Sequence, residues 1–185
     1  ATAPGEAKLV VAGGCFWGVE HLMQRCKGVM AVESGYMGGD ESNPTYEEVK
    51  AHITGHAEVV RVVYNPDETD YETIAKLFFE IHDPTQEGHQ GPDYGPQYRS
   101  EVFYSTEEQK FIAEKLIGIL KDKGYDVKTK VTPASTFWPA EAYHQDYYEN
   151  NMNEPYCRMV IQPKLEKFKK VFADKLKMNN PHRNN

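Results

Sequence analysis

A strand, a glycine turn and a helix are encoded in that order by residues 9–26, LVVAGGCFWGVEHLMQRC. The apolar run of residues 9–12 stops at Gly13 and Gly14, as a short buried strand stops at a tight turn. Beyond the turn, apolar side chains recur at the spacing of one helix face, at Val19, Leu22, Met23 and Cys26. The spacing predicts a helix from residue 15 or 16 to residue 25. Cys15 is therefore expected at the N-terminus of a helix.

Strands and helices alternate along the remainder of the chain. Short β-branched or alternating runs predict strands at residues 29–36, 56–64, 100–104, 127–131 and 157–161. Helical periodicity predicts helices at residues 71–81, 106–123, 140–150 and 163–177, and a capping box, Thr45 with Glu48, starts another. Residues 85–98 hold three glycines and two prolines and are predicted as a long loop. The alternation indicates an α/β fold with helices packed on a sheet.

Length, charge and hydropathy narrow the class of protein. The chain has 185 residues, 39% hydrophobic and 26% charged, which predicts one folded domain over residues 1–185 with flexible ends at 1–7 and 178–185. A net charge of −7 argues against nucleic-acid binding, because phosphates require clustered cations. The longest stretch of apolar residues and glycines, residues 9–19, is too short for a membrane-spanning helix, which needs about 20 residues. The lysines of the last predicted helix, Lys164 among them, are expected on its solvent-facing side.

The three cysteines have to be interpreted one by one, because an odd and small number does not make a disulfide scaffold. Cys15 follows two glycines at a helix start, where backbone N–H groups and the helix dipole favour a thiolate nucleophile. Phe16 and Trp17 then offer an apolar wall for a small group such as a methyl. Gly55 separates His52 from His56 and breaks the helix that would place both on one metal, so no metal site is predicted. A Cys–His hydrolase or acyltransferase, with His82 or His144 as base, stays open.

Further motifs extend the pattern of GCFWG, residues 14–18, in a fixed order. They are GY at 35–36, NPTYEEV at 43–49, TGHAE at 54–58, VVYNP at 62–66, HDPT at 82–85, QYRS at 97–100 and AYHQDY at 142–147. Together they resemble the peptide methionine sulfoxide reductases of the A type (MsrA) over residues 9–163. Several independent motifs in one order make this resemblance specific.

The resemblance implies a role for each matched residue. It implies Cys15 as nucleophile, Phe16 and Trp17 as the wall for the substrate methyl, Glu58 as proton donor to the sulfoxide oxygen, Tyr46 and Tyr98 as oxygen-binding hydroxyls, and Asp93 as a substrate-binding acid. A neutral carboxyl suits this reaction, because the sulfoxide oxygen gathers charge as the thiolate attacks. Glu58 shares its strand face with Val60 and Val62, so we expect it to point toward a packed side, where its pKa would rise.

The resemblance also implies a resolving cysteine, which forms a disulfide with the nucleophile and is then reduced by thioredoxin. Cys157 falls at that position, and Cys26 is expected in the core. The residues after Cys157 are predicted as a strand, which would limit its reach toward Cys15, since a disulfide needs Cα atoms within about 7 Å. Direct reduction by a small thiol is the alternative.

The implied protein is a two-layer α/β sandwich with a mixed sheet, close to the ferredoxin-like plait. It would reduce methionine S-sulfoxide, free and peptide-bound, in the repair of oxidised proteins. Its reducing equivalents would come from thioredoxin or a thiol such as dithiothreitol, with no metal, flavin or nucleotide. We expect a monomer that binds neither nucleic acid nor membrane. The cytoplasm is the expected location, and a targeting segment that has been removed stays open as an alternative. A second alternative is a non-catalytic module that binds oxidised methionine through Phe16 and Trp17.

Overall fold

The structure, a computed structural model, describes residues 7–177. The ends predicted as flexible lie outside this range except for residue 7. The main sheet has six strands in the order β7-β6-β1-β3-β2-β8, with only the β6–β7 pair parallel. These strands are β1 Lys8–Gly13, β2 Val29–Met37, β3 Ala57–Tyr64, β6 Ser100–Tyr104, β7 Lys130–Pro133 and β8 Trp138–Pro139. A separate hairpin pairs β4 His89–Gln90 with β5 Asp93–Tyr94.

Six α-helices connect and cover these strands. They are α1 Phe16–Gln24, α2 Tyr46–Lys50, α3 Tyr71–Ile81, α4 Glu107–Asp122, α5 Tyr147–Asn150 and α6 Gln162–Val171. The predicted capping box starts α2: Thr45 Oγ1 accepts from the Glu48 N–H at 3.2 Å, and the Glu48 carboxylate accepts from the Thr45 N–H at 2.9 Å. No helix within residues 7–177 has both the length and the apolar character needed to cross a membrane.

The core of the fold is the ferredoxin-like plait. Along the chain β1, α1, β2, β3, α3 and β6 follow a βαββαβ order, and in the sheet their strands lie as β6-β1-β3-β2 with antiparallel neighbours. The predicted two-layer α/β sandwich with a mixed sheet is therefore confirmed. The strand–turn–helix of residues 9–26 forms its first βα unit, which places Cys15 at one edge of the layers.

Alternation along the strands separates two apolar faces. Val60 and Val62 of β3 point into the main core together with α1 and α3, whereas Ala57 and Val59 point to a smaller cluster on the other face. Glu58 falls on the main-core side, where only 1% of its surface is exposed. The prediction that Glu58 faces a packed side is confirmed.

Several predicted elements differ in the structure. Residues 85–98 contain the β4–β5 hairpin and a short 3-10 turn, Pro96–Tyr98, rather than an unstructured loop. The helix predicted at 140–150 is two single turns, Ala142–His144 and α5. The strand predicted at 127–131 begins only at Lys130, and the last helix ends at Val171 before a 3-10 turn, Ala173–Lys175.

The strand predicted at residues 157–161 is wrong. Cys157–Ile161 is a turn of π-helix that continues directly into α6. Pro163 stands just inside α6 and has no N–H, so the carbonyl of Met159, four residues earlier, gains no donor from the α-helical ladder. A wider π turn is a regular response to such an interruption. Its β-branched residues give the segment the sequence pattern of a strand, but in the fold the segment packs onto the core as a helical turn.

Candidate active site

Cys15 is the N-cap residue of α1, directly after the turn that ends β1. Gly14 has φ 95°, in the left-handed region that an L side chain rarely adopts. A Cβ on Gly13 would lie 2.8 Å from the Phe78 ring, and one on Gly14 would lie 2.8 Å from the Gln90 side chain. The two glycines therefore let the backbone before Cys15 pass closely against α3 and β4.

The first two N–H groups of α1 are divided between two acidic groups. The Phe16 N–H donates to Glu58 Oε1 at 3.1 Å, and the Trp17 N–H donates to the Cys15 sulfur. The free N–H groups and the dipole of a helix N-terminus attract negative charge. The start of α1 thus holds a carboxyl and a thiol side by side.

The Cys15 thiol is protonated at neutral pH. Burial raises its pKa well above the ordinary value, and the charges of Glu58 and Asp93 raise it further, while the Trp17 N–H and the Tyr156 hydroxyl lower it. Removing a charged sulfur from water outweighs these two hydrogen bonds. The helix N-terminus therefore acts on the thiol in the expected direction, through the Trp17 N–H, but burial has the larger and opposite effect on its pKa.

Glu58 is a buried carboxyl with one free oxygen. Its pKa is raised to about 8, mainly by burial and further by the charge of Asp93. The hydrogen bond from the Phe16 N–H and the charge of Lys50 lower the pKa but do not offset this rise. Its Oε2 atom is buried and has no hydrogen-bond partner among the described residues. Glu58 is therefore mostly protonated at neutral pH, with an oxygen available to a further partner.

Two tyrosines bring hydroxyl groups to the same place. Tyr46 begins α2, Tyr98 ends the 3-10 turn, and both are half-buried. Burial raises the pKa of each hydroxyl, and the charges of Glu58 and Cys15 raise both further. Both tyrosines consequently stay protonated and can donate hydrogen bonds.

Asp93 and Tyr156 form a pair that the sequence did not reveal. The Tyr156 hydroxyl donates to Asp93 Oδ2 and also contacts the Cys15 sulfur. In the sequence, the only indication of a role for Tyr156 is its position next to Cys157. A carboxyl on β5 is thereby connected to the thiol on α1.

The two aromatic residues after Cys15 differ in exposure. Phe16 is 1% exposed and lies against Tyr46 and His144, with ring centroids 6.3 Å and 5.1 Å away. Trp17 is half-buried; its indole N–H donates to His144 Nδ1 at 2.9 Å, and its ring stacks on Tyr147 at 3.8 Å. Trp17 therefore presents the larger apolar surface, held in place by His144 and Tyr147, whose positioning roles the sequence did not reveal.

The comparisons with known proteins converge on one family. The family model described as peptide methionine sulfoxide reductase matches residues 7–176. This chain belongs to that family. The peptide methionine sulfoxide reductase MsrA of Sulfolobus acidocaldarius is 49% identical over 166 residues, covering 89% of this chain and 94% of the relative.

Solved structures agree with this assignment. Mxr1 from Saccharomyces cerevisiae in reduced form superposes with a TM-score of 0.76 at 33% identity, covering 85% of this chain and 92% of the other. Mxr1 in complex with Trx2 superposes with a TM-score of 0.54 at 25% identity, covering 80% of this chain and 88% of the other. The predicted membership of the methionine sulfoxide reductase A family is confirmed.

In this reductase family member the two candidate bases, His82 and His144, form their hydrogen bonds with groups other than Cys15. His82 Nδ1 contacts the Phe78 carbonyl at 2.9 Å and its Nε2 contacts Ser100 Oγ at 2.7 Å, so both ring nitrogens are occupied. His144 Nδ1 accepts from Trp17. Within residues 7–177, no group of three His, Cys, Asp or Glu side chains is arranged to hold a metal ion.

The other two cysteines of the reductase chain, Cys26 and Cys157, are buried and form no disulfide. Cys26 Sγ donates to the Leu22 carbonyl at 3.5 Å, as expected for a core thiol. Cys157 Sγ lies 3.9 Å from the Glu154 carboxylate, and burial raises its pKa to about 11. The side chain of Tyr156, the residue before Cys157, contacts the Cys15 sulfur.

Proposed function

We propose that this chain reduces the S epimer of methionine sulfoxide, free and in polypeptides, to methionine. One observation carries the proposal: the buried, protonated carboxyl of Glu58 keeps an unpartnered oxygen at the helix start that holds Cys15. A sulfoxide has a sulfur that a thiol can attack and an oxygen that needs a proton as its bond breaks. A thiol next to a neutral acid supplies both the nucleophile and the proton. The reaction would repair oxidised proteins.

In the proposed reaction, the Cys15 sulfur attacks the sulfoxide sulfur while Glu58 gives its proton to the sulfoxide oxygen. Tyr46 and Tyr98 donate hydrogen bonds to that oxygen as it gathers charge. The oxygen is transferred to Cys15, and the thiol proton replaces the one that Glu58 lost. One thiol and one sulfoxide therefore become one sulfenic acid and one thioether.

Substrate binding is assigned to the groups around the thiol. The S-methyl group packs on Trp17 and Phe16, which fixes the orientation of the sulfoxide. Asp93, held by the Tyr156 hydroxyl, binds the polar part of the substrate. The apolar wall and the oxygen-binding hydroxyls together would select one epimer at sulfur.

Regeneration of the enzyme uses a second thiol. The Cys157 thiol condenses with the Cys15 sulfenic acid, which forms a disulfide and releases water. Thioredoxin then reduces the disulfide by thiol exchange, and dithiothreitol can replace it. The complex of the similar Mxr1 with Trx2 supports thioredoxin as the partner. Cys157 must leave its buried position for this step.

We further propose that the chain acts as a monomer in the cytoplasm without a metal or organic cofactor. Three unpaired cysteines suit a reducing compartment. Size-exclusion chromatography of the reduced protein with light scattering should give a mass near 21.1 kDa, and a dimer would contradict the monomer proposal.

The activity is tested with methyl p-tolyl sulfoxide and dithiothreitol. Intact protein should consume the S epimer only, as measured by chiral chromatography. Cys15→Ser should abolish turnover, Glu58→Gln should reduce it strongly, and Cys26→Ser is the control that keeps it. Full activity of Cys15→Ser would contradict the proposal and favour a different chemistry.

Three variants separate the reductase from its alternatives. A Cys–His hydrolase would need His82 or His144 and tolerate Glu58→Gln, whereas the reductase should keep turnover, with an altered KM, in His144→Phe. A binding module would bind sulfoxide tightly, show no turnover and be indifferent to Cys15→Ser.

The role of Cys157 is tested by counting thiols after one equivalent of sulfoxide without reductant. If Cys157 is the resolving cysteine, the intact protein should lose two free thiols for each molecule of thioether formed. The Cys157→Ser protein should lose one. A loss of only one thiol in the intact protein would overturn the resolving role and leave direct reduction by a small thiol.

A further inference from the structure

A small cavity lies between Cys15 and the start of α6. Its volume is about 20 Å³, which is enough for one water molecule. The side chains that line it are apolar except for those of Cys15, Tyr156 and Lys164. Lys164 is exposed, as expected for the solvent side of its helix, and part of its side chain also lines the cavity that contains the nucleophile.

The charge of Lys164 is connected to this cavity. Desolvation lowers the pKa of the Lys164 ammonium, and Asp93 and Cys15 act in the opposite direction. Lys164 in turn lowers the pKa of Asp93. Lys164 is an exposed residue, so solvent screens its charge.

The other ionisable groups around Cys15 do not stabilise a negative charge there as a cation would. The carboxyls of Glu58 on β3 and Asp93 on β5 raise its pKa. Tyrosine hydroxyls approach from four further elements, at Tyr46, Tyr98, Tyr147 and Tyr156. His82 of α3, which Lys164 also influences, is neutral because burial lowers its pKa to about 4.

We propose that Lys164 is an electrostatic positioning residue for this reductase, whose ammonium stabilises the thiolate of Cys15 across the small cavity. When the thiol gives up its proton, the new anion joins Asp93 in a poorly hydrated space. A cation on the cavity wall compensates that charge both for attack on the sulfoxide and when the Cys15–Cys157 disulfide is opened. The inference rests on Cys15 as the nucleophile of the proposed function.

The test measures the pH dependence of alkylation at Cys15 by iodoacetamide, followed by mass spectrometry of the peptide that contains it. Lys164→Met keeps an unbranched side chain without the charge, and Lys164→Arg restores the charge. Lys167→Met, on the same helix but outside the cavity lining, is the matched control.

We expect Lys164→Met to slow alkylation at pH 8 by roughly twofold to fivefold, the range of partly solvated charge interactions. The midpoint of its pH profile should move upward, the difference should shrink in 1 M salt, and Lys164→Arg should resemble the intact protein. Sulfoxide turnover per enzyme should fall in proportion to the alkylation rate.

Equal profiles for Lys164→Met and the intact protein would overturn the inference. So would an equal shift in Lys167→Met, because that result would indicate net charge alone. Alkylation does not depend on sulfoxide reduction. A shifted profile in a protein without reductase activity would therefore count against the proposed function and not against the electrostatic effect of Lys164 on Cys15.

Discussion

Glu58 and Glu20 are both buried carboxyls at 1% exposure, and each accepts one backbone N–H. Burial raises the pKa of Glu58 to about 8 and that of Glu20 to about 7. The two carboxyls differ in the backbone N–H group from which each accepts a hydrogen bond. The Phe16 N–H holds Glu58 at the start of α1 beside the thiol, whereas the Asp146 N–H connects Glu20 to a surface segment. The same residue type is therefore placed beside the thiol in one position, where we propose it as the proton donor, and accepts a structural hydrogen bond in the other.

A pH profile should report the proton of Glu58. Since the acid is protonated below a pKa of about 8, kcat/KM for sulfoxide should fall as the pH rises through that value. Glu58→Gln should lower kcat/KM by roughly 10²- to 10⁴-fold, the usual contribution of a general acid, and remove this alkaline decline. An unchanged decline in Glu58→Gln would assign the titration to another group.

At the scale of elements, the segment from β8 to α5 is held against the first βα unit by side chains. Glu20 Oε1 of α1 accepts from the Asp146 N–H at 2.8 Å, and Gln145 binds both the N–H and the carbonyl of Ser34 on β2 at 3.0 Å. Asp146 has φ 57°, so its backbone needs such support. The segment carries His144, which positions the indole next to the nucleophile.

Replacing Glu20 tests this attachment. Glu20→Ala should lower the free energy of unfolding by about 1–3 kcal/mol, because the Asp146 N–H loses its acceptor in a part-buried hydrogen bond. It should also raise KM for sulfoxide as the segment loosens. Glu20→Gln keeps an oxygen in place and is the control. Urea unfolding measures both variants, and equal stabilities would show that the N–H finds another partner.

The π turn is the second element with a consequence for function. Residues 155–171 form one helical segment, and Pro163 interrupts its hydrogen bonds just after Cys157. The first turns can therefore unwind without melting α6, which is what the release of a buried Cys157 requires.

Pro163→Ala should restore the hydrogen bond to the Met159 carbonyl and raise the free energy of unfolding, by on the order of 1–3 kcal/mol. The second thiol should then disappear more slowly after one equivalent of sulfoxide. Pro155→Ala is the control, because a proline at the first helical position interrupts nothing. Unchanged kinetics in Pro163→Ala would mean that Cys157 is released by another motion.

For the whole molecule, buried acids and buried histidines have opposite effects on the free energy of unfolding as the pH changes. The raised pKa values of Glu58 and Glu20 mean that their stabilisation, complete below about pH 4.5, is lost as the pH rises to about 8 and 7. His21 and His82 have pKa values lowered to about 4, so their contribution is present above about pH 6.5 and is lost as the pH falls toward 4.

The free energy of unfolding should therefore stay nearly constant from about pH 4.5 to 6.5 and fall by roughly 2–3 kcal/mol between pH 6.5 and 8. Urea titrations at several pH values measure it. Glu58→Gln should flatten the decline above pH 7, and a stability that rises between pH 6.5 and 8 would contradict the assignment.

The sequence alone determined the features that depend on neighbouring residues. The predicted helix from residue 15 or 16 to 25 is α1, Phe16–Gln24, and the capping box of Thr45 and Glu48 is present. Alternation in β3 was enough to place Glu58 on the packed side. Each of these depends on hydrogen bonds or side-chain alternation within a few residues, and such forces act before the fold is complete.

Only the tertiary structure decided the features that depend on distant partners. Tyr156 reaches Asp93 across 63 residues of sequence, and Lys164 reaches the cavity of Cys15 because α6 packs against the first βα unit. Burial raises the pKa of the thiol and outweighs the lowering effect of the Trp17 N–H at the helix N-terminus. The cost of taking charge out of water is a property of the whole packed interior, so no local pattern could have given it.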